Sequence, residues 1–223
     1  MMGFQAVIFD MDGLVLDSES GYFAAWRLAA AEMGLQLDEA FCSKLSGAHG
    51  AEISQRLLAH FGPDFQLNQF YQTSKDIWLR QVQQQGIPVK SGFYPLLQLI
   101  KNLNWPYCLA TNSRRTDAEQ CLRWACLDGV FEIIVCREDV PRPKPAADIF
   151  IKAAELLSMS PQDCLVLEDS PIGVTAASAA GCHCGFVPSV LPADSEASRQ
   201  AIGVFADLGA VADFISAALD HPL

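Results

Sequence analysis

The chain has 223 residues, 51% of them hydrophobic, and a formal net charge of −11. That length fits one sizeable domain, or a core with a smaller companion, and the apolar content builds a core without disulfide or metal staples. The acidity excludes nucleic acid and anionic membrane as partners, because the overall field repels both. Any anionic substrate has to be drawn in by a local positive site.

Short apolar runs read as buried strands at Ala6–Asp10, Tyr107–Thr111, Glu132–Cys136, Cys164–Glu168 and Cys184–Val187. Between the later ones, apolar residues recur at three- and four-residue spacing. They predict helices over Tyr94–Leu103, Arg115–Ala125, Ala147–Leu157 and Pro171–Ala180, with Pro161 as a stop after the third. Strand alternating with helix predicts an α/β fold, a doubly wound parallel Rossmann-like sheet covered on both faces.

Residues 18 to 85 break that rhythm. Ser18 is a good N-cap, ESGYFAAWRLAAAEM reads as a helix closed by Gly34, and Asp38–Leu45, Ala51–Phe61 and Gln66–Gln85 are helical in pattern. No strand candidate interrupts them. The expected organisation is a catalytic core of residues 1–16 and 88–223, with an all-helical cap of residues 17–87 inserted after the first strand. Two short connections, near Leu16–Glu19 and Gln85–Gly92, would act as hinges.

The eight cysteines, at 42, 108, 121, 126, 136, 164, 182 and 184, contain no CxxC pair. Cys108, Cys136 and Cys164 sit in apolar runs and read as small buried hydrophobes. Cys182-His183-Cys184 reads as a strand with two inward thiols, since no second ligand pair is spaced for zinc. No basic leader opens the chain, and no apolar run reaches ~18 residues, so the expected protein is a reduced, cytoplasmic monomer away from any membrane.

In open parallel sheets, ligands bind beyond the carboxyl ends of the strands. There the sequence places Asp10-Met11-Asp12-Gly13, then Thr111-Asn112-Ser113, then Pro143-Lys144-Pro145, then Glu168-Asp169-Ser170. Each alone is ordinary: DxD is common on loops, PKP is a rigid turn, and EDSP is a strand running into a capped helix. At successive strand ends they are the parts of a phosphoryl-transfer site. Carboxylates gathered at one edge repel unless a divalent cation neutralises them, and oxygen ligands favour Mg²⁺. Asp10 can then attack phosphorus, while Asp12 serves as acid and then base. Thr111 and nearby backbone N–H groups suit the phosphate oxygens, and Lys144 suits the transition-state charge.

VIFDMDGLVLDSE, LATNS, KPAADIF and LVLEDSPIGVTAASAAG together resemble the haloacid-dehalogenase superfamily of phosphohydrolases. They resemble specifically the branch of β-phosphoglucomutase and its phosphatase relatives, which carry a helical cap. The resemblance implies Mg²⁺ held by Asp10, the Asp12 backbone carbonyl and Asp169, with Glu168 direct or through water. It also implies Thr111, Asn112 and Lys144 on the transferring phosphate. Pro143 stands where the family usually has Gly, and Ala147 where it has a second proline; both bear on the loop around Lys144.

The same resemblance separates hydrolysis from transfer. The mutase type carries a cap histidine where Tyr22 falls and an arginine where Gly50 falls, so a phosphatase is favoured over a hexose phosphomutase. The cap stretch Leu45–Ser54, with Gly47 and His49, and Lys75 in a later helix are substrate candidates beside Tyr22. Solvated loop and surface positions are the plain alternative for His49 and Lys75. The partner is a small phosphorylated metabolite: a sugar, polyol or nucleotide-like phosphomonoester. A non-catalytic phospho-ligand module would be expected to lack one of Asp10, Asp12, Lys144 or Asp169. A dehalogenase would need neither Asp12 nor the Glu168-Asp169 pair.

Overall fold

The computed structural model describes residues 3–43, 45 and 50–220. It resolves into two compact units. One ends at Asp17 and resumes at Pro88; the other is Ser18–Ile87.

The first unit opens with β1 (Ala6–Phe9), an AVIF strand buried along its whole length. The second unit then supplies α1 (Ser18–Glu32), α2 (Glu39–Ser43), α3 (Gly50–Phe61) and α4 (Leu67–Gln85). Its interior is built from Ala25, Ala29 and Ala30 of α1 and Phe70, Ile77, Trp78 and Val82 of α4. Small alanines on one helix facing large side chains on the other let the two approach closely. Phe70 is fully buried and meets Phe65 at 5.4 Å and Trp26 at 6.2 Å between ring centroids. Tyr22 stacks on Trp78 at 4.6 Å with the planes 10° apart. Ser18, expected as an N-cap, is the first residue of α1.

The first unit continues with α5 (Phe93–Asn102), β2 (Tyr107–Ala110), α6 (Arg115–Trp124), β3 (Ile134–Val135), α7 (Asp148–Leu156), β4 (Cys164–Glu168) and α8 (Pro171–Ala180). It closes with β5 (His183–Phe186), α9 (Ser195–Gln200), β6 (Gly203–Val204) and α10 (Leu208–Asp220). The six strands form one sheet in the order β3-β2-β1-β4-β5-β6, with every pairing parallel. This is the doubly wound, Rossmann-like α/β arrangement expected from the alternation of strands and helices. β1 is central, flanked by β2 and β4, so the order reverses on either side of it, and that reversal opens a crevice at the strand ends.

Parallel strands covered on both faces are apolar along their length, and these depart from it only at their ends, with Glu168 closing β4 and His183 opening β5. On one face Ala6, Ile8, Cys108, Ala110, Cys164, Val166 and Cys184 pack with Ile149, Phe150 and Ala153 of α7 and Val174 and Ala177 of α8. On the other, Phe9 meets Phe93 and Phe131 edge-on, each at 5.8 Å. Burying one such ring contributes about 1.5–3 kcal/mol.

Cys182 and Cys184 both turn toward the α7/α8 side of the sheet, Cys184 in its core and Cys182 packed at its margin. Burial pushes the Cys182 thiol up to about 12, with Cys164 adding to it. Burial likewise raises Cys164 to about 11. Among the described residues no helix is long and apolar enough to cross a membrane.

Candidate active site

β1 and β4 are neighbours in register, with Phe9 opposite Leu167 and the Asp10 N–H donating to the Leu167 carbonyl at 3.0 Å. One step further along each strand, Asp10 and Glu168-Asp169 therefore emerge side by side. Carboxylate oxygens of Asp10, Glu168 and Asp169 all lie within 4.8 Å of one another, and all three residues are buried. Among the described residues this is the one such cluster of metal-ligating side chains.

Lys144 reaches the same place from the loop before α7. Its ammonium donates to Asp10 Oδ1 at 2.5 Å, Glu168 Oε1 at 2.6 Å and the Ala110 carbonyl at 2.9 Å. An ammonium has three N–H donors, and all three are used. Burial alone would lower its pKa, but the two carboxylates outweigh that and hold Lys144 above its ordinary value. The Phe150 ring lies under the ammonium at 4.9 Å and adds a cation–π contact. Burial raises the Asp10 carboxyl well above its ordinary value; Lys144 opposes this, and Glu168 and Asp169 add to it. Three carboxylates against one ammonium leave the pocket short of positive charge. Hard oxygen donors, close together, buried and in excess, fit a small divalent cation.

Asn112 holds Lys144 from the backbone side. Its amide oxygen accepts from the Lys144 N–H at 2.9 Å, and its amide nitrogen donates to the Lys144 carbonyl at 3.1 Å. Expected on the phosphate, this side chain fastens the PKP loop to the end of β2. Thr111 is buried, and its hydroxyl accepts from the Ser113 N–H at 3.0 Å, forming the turn that leads into α6. Asp12 sits outside the carboxylate cluster, and the Ser113 hydroxyl donates to its Oδ2 at 2.8 Å.

Gly13 completes the β1 turn. Its N–H donates to the Leu16 carbonyl at 2.9 Å, and its φ of +82° is left-handed. A Cβ at that position would lie 2.0 Å from Asp169 Oδ2, so only glycine leaves room for the carboxylate.

Other polar residues have partners or places of their own. Arg115 is spent on Asp139 at 2.5 Å and the Ile134 carbonyl at 3.1 Å. Asp148 stands in the first turn of α7 and accepts two bonds from Arg142, as a helix N-terminal acid would. Tyr22 and Lys75 are exposed on α1 and α4. Gly47 and His49 lie outside the described residues.

Two contributors had no assigned part in the sequence reading: Ser113, and Gly173 on α8. The second carried a signal, because glycine in the first turn of an otherwise alanine-rich helix costs about 1 kcal/mol and calls for a packing reason.

Fold and cluster together define an α/β enzyme core of the hydrolase type, with its polar centre at the carboxyl edge of the sheet. The model of the haloacid dehalogenase-like hydrolase family matches residues 7–187. The fructose-1-phosphate phosphatase of Escherichia coli K12 is 30% identical over 184 residues, covering 80% of this chain and 93% of that one. The β-phosphoglucomutase of Bacillus subtilis 168 is 29% identical over 183 residues, covering 79% and 80%. A haloacid dehalogenase family hydrolase from Deinococcus radiodurans R1, solved with bound phosphate and sodium, superposes with a TM-score of 0.78 at 26% identity. It covers 98% of this chain and is itself covered to 96%. The chain belongs to the haloacid dehalogenase-like hydrolase family.

Proposed function

We propose that the chain is a Mg²⁺-dependent phosphatase that hydrolyses a small sugar or polyol phosphomonoester through an aspartyl-phosphate. The observation that carries the reading is the buried meeting of Asp10, Glu168 and Asp169 around Lys144. Asp10 and Asp169, with the Asp12 backbone carbonyl, would hold the cation, and Glu168 would face it through water. Once bound, the cation neutralises the acids and admits a phosphate dianion.

The chain's own groups then divide the chemistry. An Asp10 oxygen forms a bond to phosphorus as the ester oxygen leaves, and Asp12 gives that oxygen its proton. Asp12 next takes a proton from water, the water oxygen bonds to phosphorus, and the bond to Asp10 breaks, releasing inorganic phosphate. Lys144 bonds Asp10 in the structure, and we assign it to the phosphate oxygens once Asp10 turns to attack. The Thr111 turn is assigned to the same oxygens.

A sugar phosphate is favoured over other esters because the Escherichia coli relative is named for fructose 1-phosphate. Substrate choice is assigned to the helical unit, with Tyr22, Lys75, Gly47 and His49 carrying it on the resemblance alone.

The test is a screen of purified protein over an aryl phosphate and a panel of sugar and polyol phosphates, with Mg²⁺ and with chelator. Turnover that needs Mg²⁺ and is strongest on one sugar or polyol ester supports the reading. Phosphate release at background on every ester, with ligand still bound, would make the chain a binding module.

A further inference from the structure

Glu168 is fully buried, and both of its carboxylate oxygens are hydrogen-bonded. Its Oε1 takes the Lys144 ammonium at 2.6 Å. Its Oε2 accepts from the Asp169 N–H at 3.2 Å, the Ser170 N–H at 3.3 Å and the Ser170 hydroxyl at 3.0 Å. The same Ser170 hydroxyl is the N-cap of α8 and accepts from the Gly173 N–H at 3.2 Å. One oxygen thus ties the carboxylate to the helix start: it donates its proton to Glu168 and takes the free N–H of Gly173. Gly173 also provides the space. A Cβ there would lie 1.8 Å from Glu168 Cδ and within 2.1 Å of both its oxygens.

We propose that Ser170 and Gly173 are positioning residues: together they seat the Glu168 carboxylate so that it fixes the Lys144 ammonium beside Asp10. This rests on the phosphatase reading in one respect, that Lys144 is the cation serving the reacting phosphate. The chain of contacts is short and directional. The hydroxyl and the missing Cβ set the place of Glu168. Glu168, with Ala110 and Asp10, sets the place of Lys144. When Asp10 turns from Lys144 to phosphorus, Glu168 is the carboxylate that still holds the ammonium in line. A rigid support of this kind matters because a misplacement of about 1 Å in a reacting array costs about 10²-fold in rate.

An ordinary structural role predicts different behaviour from these two residues. Glycine is an acceptable N-cap, so Ser170→Gly keeps the helix start. Alanine is the better helix former, so Gly173→Ala should stabilise α8 if packing were all that mattered.

The experiment combines steady-state kinetics on an aryl phosphate with lysine acetylation read by mass spectrometry. It compares wild type, Ser170→Gly, Ser170→Thr and Gly173→Ala, with thermal unfolding of each. The expected result is that Ser170→Gly keeps its melting temperature and loses about 10- to 100-fold in kcat, with KM within about threefold. Ser170→Thr, which keeps the hydroxyl, recovers most of that loss. Acetylation of Lys144 relative to Lys152 rises in Ser170→Gly and in Gly173→Ala. The labelling needs no turnover. A wild type inactive on every ester would fail the phosphatase reading, while the labelling contrast would still decide the seat. Unchanged kcat and unchanged Lys144 labelling in Ser170→Gly would overturn the proposal. So would a Gly173→Ala protein that is more stable and fully active.

Discussion

The Ser113 hydroxyl donates to Asp12 Oδ2 at 2.8 Å, joining the turn after β2 to the turn after β1. A donor on one oxygen of a carboxylate fixes which way the group faces. For an acid that must reach a leaving oxygen, orientation is the relevant quantity.

Ser113→Ala should therefore lower kcat/KM by about tenfold, roughly 1.4 kcal/mol. The loss should be larger for an alkyl phosphate, whose leaving oxygen needs the proton, than for an aryl phosphate with a good leaving group. Parallel kinetics on the two esters would show this. Equal losses on both would mean that Ser113 serves the turn and not the acid.

Gly13 faces Asp169 across a gap that a methyl group cannot enter. Gly13→Ala should cost about 1–2 kcal/mol for the left-handed backbone and should also displace the carboxylate. Gly34 is the control, with a φ of +73° and nothing within 4 Å of a Cβ. Calorimetric titration with Mg²⁺ separates the two effects: Gly13→Ala should weaken binding about tenfold or more, roughly 1.4 kcal/mol or more, and Gly34→Ala should leave it unchanged. Equal affinities in both variants would show that Asp169 does not depend on Gly13.

Removing Lys144 should be costly even without substrate. Lys144→Met leaves Asp10, Glu168 and Asp169 buried with no ammonium among them, and breaking a buried pair costs about 3–5 kcal/mol. The pH dependence follows from Asp10, whose carboxyl burial already holds above its ordinary value, with Lys144 as the opposing influence. A carboxyl raised in the folded state contributes stability that is fully present below its unfolded pKa and is lost as pH rises through the folded one. The variant should thus be closest to wild type in acid and furthest from it near neutrality. Urea unfolding at a series of pH values tests this, and a deficit that grew on acidification would contradict it.

The elements around the cluster were legible because their signals are local and redundant. For α8, the Ser-Pro start, the alanine-rich run and the closing Gly181 in the left-handed region bound the helix at Pro171–Ala180, as expected. CLVLE is four apolar residues ending in Glu168, and it is β4 without adjustment. The approach of Asp10 to Glu168-Asp169 follows from the strand-end rule once β1 and β4 are neighbours. Edges were less legible. The expected strand Glu132–Cys136 pairs over Ile134–Val135 alone, and β6 is two residues long, too short for any periodicity. α7 ends at Leu156, with Ser158 left-handed, while Pro161 begins a 3-10 turn of its own. The amide of Asn112 on the Lys144 backbone, and the seat of Glu168 under Ser170 and Gly173, depend on side-chain rotamers of residues far apart in the chain. No spacing rule encodes those.

The charge balance of the cluster makes its cation dependence measurable without any substrate. Three buried carboxylates stand together and one ammonium pairs with two of them, so a divalent cation that binds the folded chain and not the unfolded one stabilises it by mass action. At a concentration 100 times the dissociation constant this amounts to about 2.7 kcal/mol. For a chain of this size that shifts the melting temperature by about 5–10 °C. Thermal unfolding with Mg²⁺ and with chelator should show the shift in wild type, and Asp169→Asn should abolish it. The variant is essential, because a chain of net charge −11 also attracts cations diffusely over its surface. Diffuse attraction survives the loss of one carboxylate and fades as monovalent salt is raised, whereas binding at the buried cluster does neither. A shift of equal size in wild type and Asp169→Asn, removed by salt, would place the cation on the surface and leave the cluster without it.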